Sequence, residues 1–161
     1  MSSYLNLIFK SYLIHYQNKP LIDTILIILP GFDTYNIHQQ PYDASGHGTQ
    51  TMGIIVGGNY GGTSIGVAPE AKWVGVKIFD DRGEARLSNI HQAFAWLLDP
   101  DGNPDTDDIP DIVNNSWGFN YVNQCDNEFQ EDIELLKNVD VAVGFSAGNS
   151  GPYLSSSESR K

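Results

Sequence analysis

Asp43-Ala44-Ser45-Gly46-His47-Gly48-Thr49-Gln50-Thr51-Met52-Gly53 is the segment around which the other motifs of this chain are ordered. The histidine lies between two glycines, and apolar residues with helical spacing follow it. Glycine adopts backbone conformations that other residues resist and lets a substrate approach closely. We predict a helix over 47–57 with His47 at its start, where the helix dipole disfavours the imidazolium. Taken alone, His47 is either a proton acceptor in a reactive site or an ordinary capping or surface residue.

Two further motifs change that balance, namely Asn114-Asn115-Ser116-Trp117-Gly118 and Phe145-Ser146-Ala147-Gly148-Asn149-Ser150-Gly151-Pro152. Together with Gly46-His47-Gly48-Thr49, and in this order, they resemble the subtilisin-like serine proteases. Two intervening segments are also similar to that family, Gly66-Val67-Ala68-Pro69-Glu70-Ala71 and Val76-Lys77-Ile78-Phe79-Asp80. The resemblance covers roughly residues 41 to 152 and implies a serine endopeptidase that acts on peptides or proteins.

The resemblance assigns roles to several residues. It implies that His47 is the general base, and that the Asn149 amide donates to the oxyanion of the tetrahedral intermediate. It also implies that Ser116, Trp117 and Gly118 pair with the substrate backbone and line the pocket before the scissile bond. The alternatives are that Asn149 serves only a turn and that Trp117 is an ordinary core residue.

The triad carboxylate has two candidates, because the family carries Asp, then Ser or Thr, then Gly at the end of its first strand. Asp23 and Asp33 are each followed by threonine but not by the glycine. We favour Asp23, which has the better local match, over Asp33, which follows the apolar run but lies very near His47 in sequence. The remaining alternative is that neither residue is functional.

The nucleophilic serine that the resemblance implies has no counterpart at the expected place in this sequence. The family's serine lies in a Gly-Thr-Ser motif C-terminal to the oxyanion asparagine, and no such motif follows Asn149 in this sequence. Gly62-Thr63-Ser64 has the letters but comes just after the histidine helix, so we reject Ser64. We therefore expect this 161-residue chain to be inactive on its own. A non-catalytic peptide-binding remnant is the alternative reading.

Apolar runs alternate with helical patterns along the chain. We predict strands at 25–29, 73–79, 111–115 and 139–146, and helices at 47–57, 88–98 with Ser88 as N-cap, and 126–138. This alternation indicates an α/β fold with a doubly wound, mostly parallel sheet and helices on both faces, which the resemblance implies is incomplete at the C-terminus. Such sheets place functional residues just past the strand ends, where Ser116 and Asn149 fall.

Three units follow from these patterns. Residues 1–20 lack a clear period and are predicted to form a short helix or a loose segment. Residues 21–152 are what the resemblance implies to be a partial subtilisin-like peptidase domain, in which 30–46 form a polar loop. Residues 153–161 are a polar tail.

Composition limits the partners. The net charge of −11 disfavours binding to nucleic acid or to an anionic membrane. The apolar run 21–29 is too short to span a bilayer, and no signal peptide is visible. The resemblance nevertheless implies a secreted or cell-surface protein. Cys125 is the only cysteine, so no intramolecular disulfide forms.

One acidic loop is a candidate metal site. Its oxygen-bearing side chains lie at alternating positions, which suits calcium, and similar proteases often bind it: Asp99, Asp101, Asn103, Asp105, Asp107 and Asp108. Gly102 is misplaced for an EF-hand, however, and no glutamate closes the loop. We therefore favour a solvated acidic loop and predict no required cofactor, with a calcium-binding structural module as the alternative.

Overall fold

The elements of the chain follow one another as short strands and helices. The computed structural model describes residues 6–10, 32–37, 42–59, 61–119 and 127–149. In chain order they form β1 (Asn6–Lys10), β2 (Phe32–Asp33), α1 (His47–Val56), β3 (Lys72–Lys77), α2 (Leu87–Trp96), β4 (Ile112–Asn115), α3 (Gln130–Asn138) and β5 (Ala142–Phe145). The predicted strand at 25–29, Asp23 and Cys125 lie outside the described residues.

The strands form one sheet in the order β2-β3-β1-β4-β5. β2 pairs in parallel with β3, and β4 pairs in parallel with β5. β1 pairs antiparallel with both β3 and β4. Since β3 and β4 both oppose β1, all strands except β1 run in the same direction, and their carboxyl ends lie at one edge of the sheet. The fold is α/β, as predicted.

Two strands lie where the sequence did not predict them. Residues 1–20 were expected to be loose or helical, yet β1 occupies the middle of the sheet between β3 and β4. β2 falls inside the predicted polar loop, and the Thr34 amide extends its pairing by donating to the Lys77 carbonyl at 3.1 Å. Strands depend on cross-strand neighbours that are distant in sequence, so a local pattern reveals them poorly.

The predicted helices are present with shifted ends. The expectation that Ser88 caps α2 was wrong: the helix begins at Leu87, after Arg86 in an extended conformation without a side-chain cap. Ser88 lies within the helix and donates its hydroxyl to Asn89 Oδ1 at 3.4 Å. α3 begins at Gln130 rather than at 126. Among the described helices, none combines the length and apolarity that crossing a membrane requires.

The side chains of β3 alternate between two layers. Trp73 packs with residues of α1 and its exit, in a cluster of Met52, Ile55, Val56 and Ala71. Val74 and Val76 face the main core, which contains Ile90, Ala93, Phe94 and Leu97 of the α2 region and Phe129 and Leu136 of the α3 region. Successive residues of a strand point to opposite faces. α1 therefore covers one face of β3, and α2 and α3 lie on the other.

His91 joins the two helices of the main core. Its Nδ1 lies 2.7 Å from Asp132 Oδ2, its Nε2 lies 3.2 Å from Glu128 Oε1, and its ring packs on Phe129 with centroids 4.9 Å apart. The hydrogen bonds to Glu128 and then to Asp132 raise the pKa of His91 and outweigh the opposing effect of desolvation. The imidazolium thus links α2 to the start of α3.

This link makes stability depend on pH. Because the pKa of His91 is higher in the folded state than the usual value of about 6.5, its contribution is complete below that value and disappears as the pH rises through the folded pKa. We expect the melting temperature of the wild type to exceed that of His91→Gln near pH 6 and the difference to shrink toward pH 8.5. The remaining histidines cancel in the subtraction. A difference that stays constant over this range would contradict the assignment.

Candidate functional site

The residues singled out by the sequence leave the sheet at the same edge. β2 and β3 are parallel neighbours joined by α1, so α1 must return the chain from the carboxyl end of β2 to the amino end of β3. The helix ends at Val56, which packs with Ala71 and Trp73 at the start of β3. The beginning of α1, where His47 stands, is therefore directed toward the carboxyl edge. Ser116 follows β4 directly, and Asn149 follows β5 by four residues, also at that edge.

His47 is the first residue of α1 and is half-buried, with its Nδ1 atom buried. Desolvation lowers the pKa of His47, and the negative charge of Asp43 opposes that effect in part. The net lowering favours the neutral imidazole at neutral pH. A neutral imidazole is the form that can accept a proton from a hydroxyl.

The side chains of β4 divide between the two faces of the sheet. Val113 belongs to the main core, so Asn114 points to the opposite face, which is the face that α1 covers at β3. The Asn114 amide donates to the Ser116 hydroxyl at 2.9 Å. His47 and Ser116 thus belong to the same edge and the same side of the sheet.

Asn115 and Trp117 form a buried frame beneath this edge. The Asn115 side chain is fully buried, donates to the Gly144 carbonyl at 3.1 Å and accepts from Trp117 Nε1 at 3.1 Å. The Trp117 ring is 3% exposed and packs against aromatic rings of the core. The structure therefore places this ring in the core, which leaves the backbone of the 116–118 segment and Gly118 at the edge.

The segment after β5 runs beside the one after β4. Ser146 N donates to the Asn115 carbonyl at 2.9 Å, which continues the pairing of the two strands past their ends. Gly148 has a φ of 81°, a conformation that favours glycine, and Asn149 follows it with an exposed side chain. The turn at Gly148 thus carries Asn149 away from the core at the edge shared with Ser116.

Of the two aspartates considered for the triad, only Asp33 is described. It ends β2, and its carboxylate accepts the amides of Tyr35 at 2.9 Å and Ile37 at 3.0 Å. The carboxylate therefore organises the turn that leaves β2. Asp23 lies outside the described residues.

Three carboxylates of the acidic loop between α2 and β4 lie close together. Asp99, Asp101 and Asp108 each bring one oxygen to within 4.8 Å of the others. In the described part of the chain, Asp99 Oδ1 is buried without a hydrogen-bond partner. Asp108 accepts the Asp101 amide at 2.8 Å, and Asp101 accepts the Thr106 hydroxyl at 2.9 Å. An all-carboxylate donor set fits Ca²⁺, while the internal hydrogen bonds also suit the solvated loop favoured from sequence.

Sequence reasoning missed Asp43 and Asn115. Asp43 accepts the Thr49 amide and hydroxyl, both at 2.8 Å, and so caps the helix that begins at His47. An aspartate shortly before a helix start is a recognisable capping signal and could have identified it. Nothing in the local pattern marks Asn115 as buried, because its partner Gly144 belongs to another strand.

Comparison with known proteins adds an independent finding. Residues 29–161 match the model of the Subtilase family (Peptidase S8). Bacillopeptidase F of Bacillus subtilis is 37% identical over 127 residues, which are 76% of this chain and 9% of that protein. Serine protease AprX of the same organism is 32% identical over 126 residues, 74% of this chain and 28% of that protein. Minor extracellular protease Epr, also of Bacillus subtilis, is 35% identical over 74 residues, 45% of this chain and 11% of that protein. The chain thus spans under a third of the length of each.

Proposed function

Because the chain belongs to the Subtilase family, the subtilisin-like serine proteases, we propose that it supplies the base, the oxyanion donor and the substrate-binding strand of a serine endopeptidase site. The main support for this site is that the segments bearing His47, Ser116 and Asn149 leave the same edge of the sheet. The proposal includes a doubly wound sheet, which the placement of α1 opposite α2 and α3 supports. It also includes a shared cleft bordered by His47, Ser116, Gly118 and Asn149.

In this cleft each residue has a distinct task. His47 accepts the proton of the attacking serine, which its lowered pKa supports by keeping the imidazole neutral. The Asn149 amide donates to the oxyanion. Loss of the equivalent donor in subtilisin costs about 10²–10³ in turnover, and we expect the same magnitude for Asn149. Asp23 is the proposed orienting carboxylate, with Asp33, which ends β2 at the same edge of the sheet, as the alternative.

The nucleophile is not among the residues proposed here. Ser64 lies in the exposed loop after α1, with its hydroxyl 3.5 Å from the Gly57 carbonyl. No Gly-Thr-Ser motif follows Asn149 in the 161 residues. The 161-residue polypeptide alone is therefore expected to leave peptide substrates intact. The alternative function is that of a non-catalytic remnant, which would have the same cleft and bind a peptide without cleaving it.

The substrate is proposed to be an extended peptide or protein segment. Such a segment pairs through main-chain hydrogen bonds, and the 116–118 backbone at the sheet edge offers them while the Trp117 ring stays in the core. The net charge of −11 supports a partner other than nucleic acid or an anionic membrane. Export from the cell is part of the proposal, supported by the relative named an extracellular protease.

No cofactor enters the proposed hydrolysis, because proton transfer and oxyanion binding use protein groups alone. Calcium is the structural ligand considered for this chain, and Asp99, Asp101 and Asp108 would hold it. The buried Asp99 oxygen supports that choice. A bound cation would neutralise the loop that connects α2 to β4, upstream of the Ser116 segment.

A cross-linking experiment tests the shared cleft. In a Cys125→Ser background, which removes the only native cysteine, His47→Cys is combined with Asn149→Cys and treated with a short bifunctional maleimide. The control combines His47→Cys with Leu135→Cys, because Leu135 is 54% exposed on α3, which packs on the opposite side of the sheet. We expect an intramolecular link in the first pair only. Absence of that link, or equal linking of the control, overturns the proposed site.

A further inference from the structure

The start of α1 has an unusual capping arrangement. The first amides of a helix have no intrahelical partner and need an acceptor from elsewhere. The residue at the N-cap position is Gly46, which has a φ of 77° and no side chain to offer. Two preceding residues replace it: Ser45 Oγ accepts the His47 amide at 3.2 Å, and Asp43 accepts the Thr49 amide at 2.8 Å.

Asp43 is the centre of this arrangement. Its Oδ1 accepts the Gly46 amide at 2.9 Å and both the amide and the hydroxyl of Ser45, at 3.2 and 3.3 Å. Its Oδ2 accepts the amide and the hydroxyl of Thr49, both at 2.8 Å. Desolvation alone would raise the pKa of Asp43, but the bonds from Thr49, Gly46 and Ser45 together lower it. The carboxylate is thus held in its charged form.

These hydrogen bonds fix the backbone on both sides of His47. Asp43 holds the backbone at residues 45 and 46 before the histidine and at residue 49 after it. A carboxylate at a helix N-terminus also interacts favourably with the helix dipole. Its charge acts on the imidazole as well, since Asp43 raises the pKa of His47 against the stronger effect of desolvation.

We propose that Asp43 is a positioning residue for His47: its carboxylate ties together the backbone on both sides of the histidine and fixes where the imidazole stands at the sheet edge. The catalytic meaning of this role rests on the proposed function, whereas the contacts that carry it do not. The role differs from that of the triad carboxylate, because the bonds of Asp43 go to backbone amides and hydroxyls around the histidine.

The test uses Asp43→Ala and Asp43→Asn in the full chain. Amide exchange at Thr49 reports the cap, and NMR titration of the His47 ring reports the charge. For Asp43→Ala we expect exchange at Thr49 about fivefold faster, as loss of a helix cap predicts, and a lower pKa of His47. Asp43→Asn keeps an acceptor oxygen but no charge, so it should restore most of the protection at Thr49 while the pKa of His47 stays low.

The control is Asp105→Ala, which removes the same charge from an exposed loop outside the cap. Asp105→Ala should change neither the amide exchange rate at Thr49 nor the pKa of His47. His47→Gln assigns the ring resonance. Wild-type exchange at Thr49 together with a wild-type titration of His47 in Asp43→Ala overturns the proposal. Failure of the cross-link between positions 47 and 149 would overturn the protease site alone, because neither measurement on Asp43 depends on Asn149.

Discussion

Trp117→Ala should lower the free energy of unfolding by about 3–5 kcal/mol, the range measured when large buried aromatic side chains are truncated. The side chain is 3% exposed, so nearly all of its contacts are lost and a cavity remains. Its ring meets those of Phe119, Phe129 and Phe145 edge-on, with centroids 6.2, 5.5 and 5.7 Å away. Since folded domains have only about 5–15 kcal/mol in total, this loss removes a large share of the stability.

Urea unfolding measures this effect, and Leu135→Ala is the matched control. Leu135 is 54% exposed on α3, so its truncation should change stability by less than about 0.5 kcal/mol. Trp117→Phe keeps a ring in the core but removes the N–H that donates to Asn115 Oδ1, and its loss should be intermediate. A Trp117→Ala variant as stable as the control would mean that the ring contributes no packing.

The buried Trp117 also shows where the motif was informative and where it was ambiguous. The sequence placed Ser116, Trp117 and Gly118 together just past a strand, and β4 does end at Asn115. The sequence motif does not indicate which of the three side chains points into the core, because that depends on the residues that surround each of them in the fold. Trp117 is directed inward by the rings of Phe129, just before α3, and Phe145 of β5, which lie downstream in the chain.

Helical periodicity predicted more than strand patterns did. The spacing of five apolar residues predicted the helix α2. Four of them, Ile90, Ala93, Phe94 and Leu97, are 3%, 4%, 3% and 1% exposed, while the fifth, Leu98, is half-buried. β1 could not be predicted, because its neighbours β3 and β4 come from parts of the chain more than sixty residues away. A helix makes its hydrogen bonds within its own segment, whereas a strand exists only through its partners.

Gly66→Ala should also lower the free energy of unfolding. The added Cβ would stand 2.4 Å from Gly57 N and 2.7 Å from Gly57 O, both backbone atoms that cannot rotate away. Overpacking of this kind typically costs about 1–3 kcal/mol. The strain falls where the chain returns to α1: Gly66 N donates to the Gly57 carbonyl at 2.8 Å, and Ala68 N donates to the Ile55 carbonyl at 2.7 Å. These bonds satisfy carbonyls at the end of the helix that carries His47.

Gly58→Ala is the matched control, because it adds the same methyl group in the same loop with no atom within 4 Å and without a positive φ. Replacing such a glycine restricts the unfolded chain, so stability should stay unchanged or rise by up to about 1 kcal/mol. The two substitutions should therefore move the urea midpoint in opposite directions or by clearly different amounts. Amide exchange at Ala68 should accelerate in Gly66→Ala alone, since its bond to Ile55 depends on the close approach. Equal midpoints for both variants would mean that there is space for a Cβ atom at residue 66. The glycine of the Gly66-Val67-Ala68-Pro69 motif would then have no steric role in the packing of this segment against the end of α1.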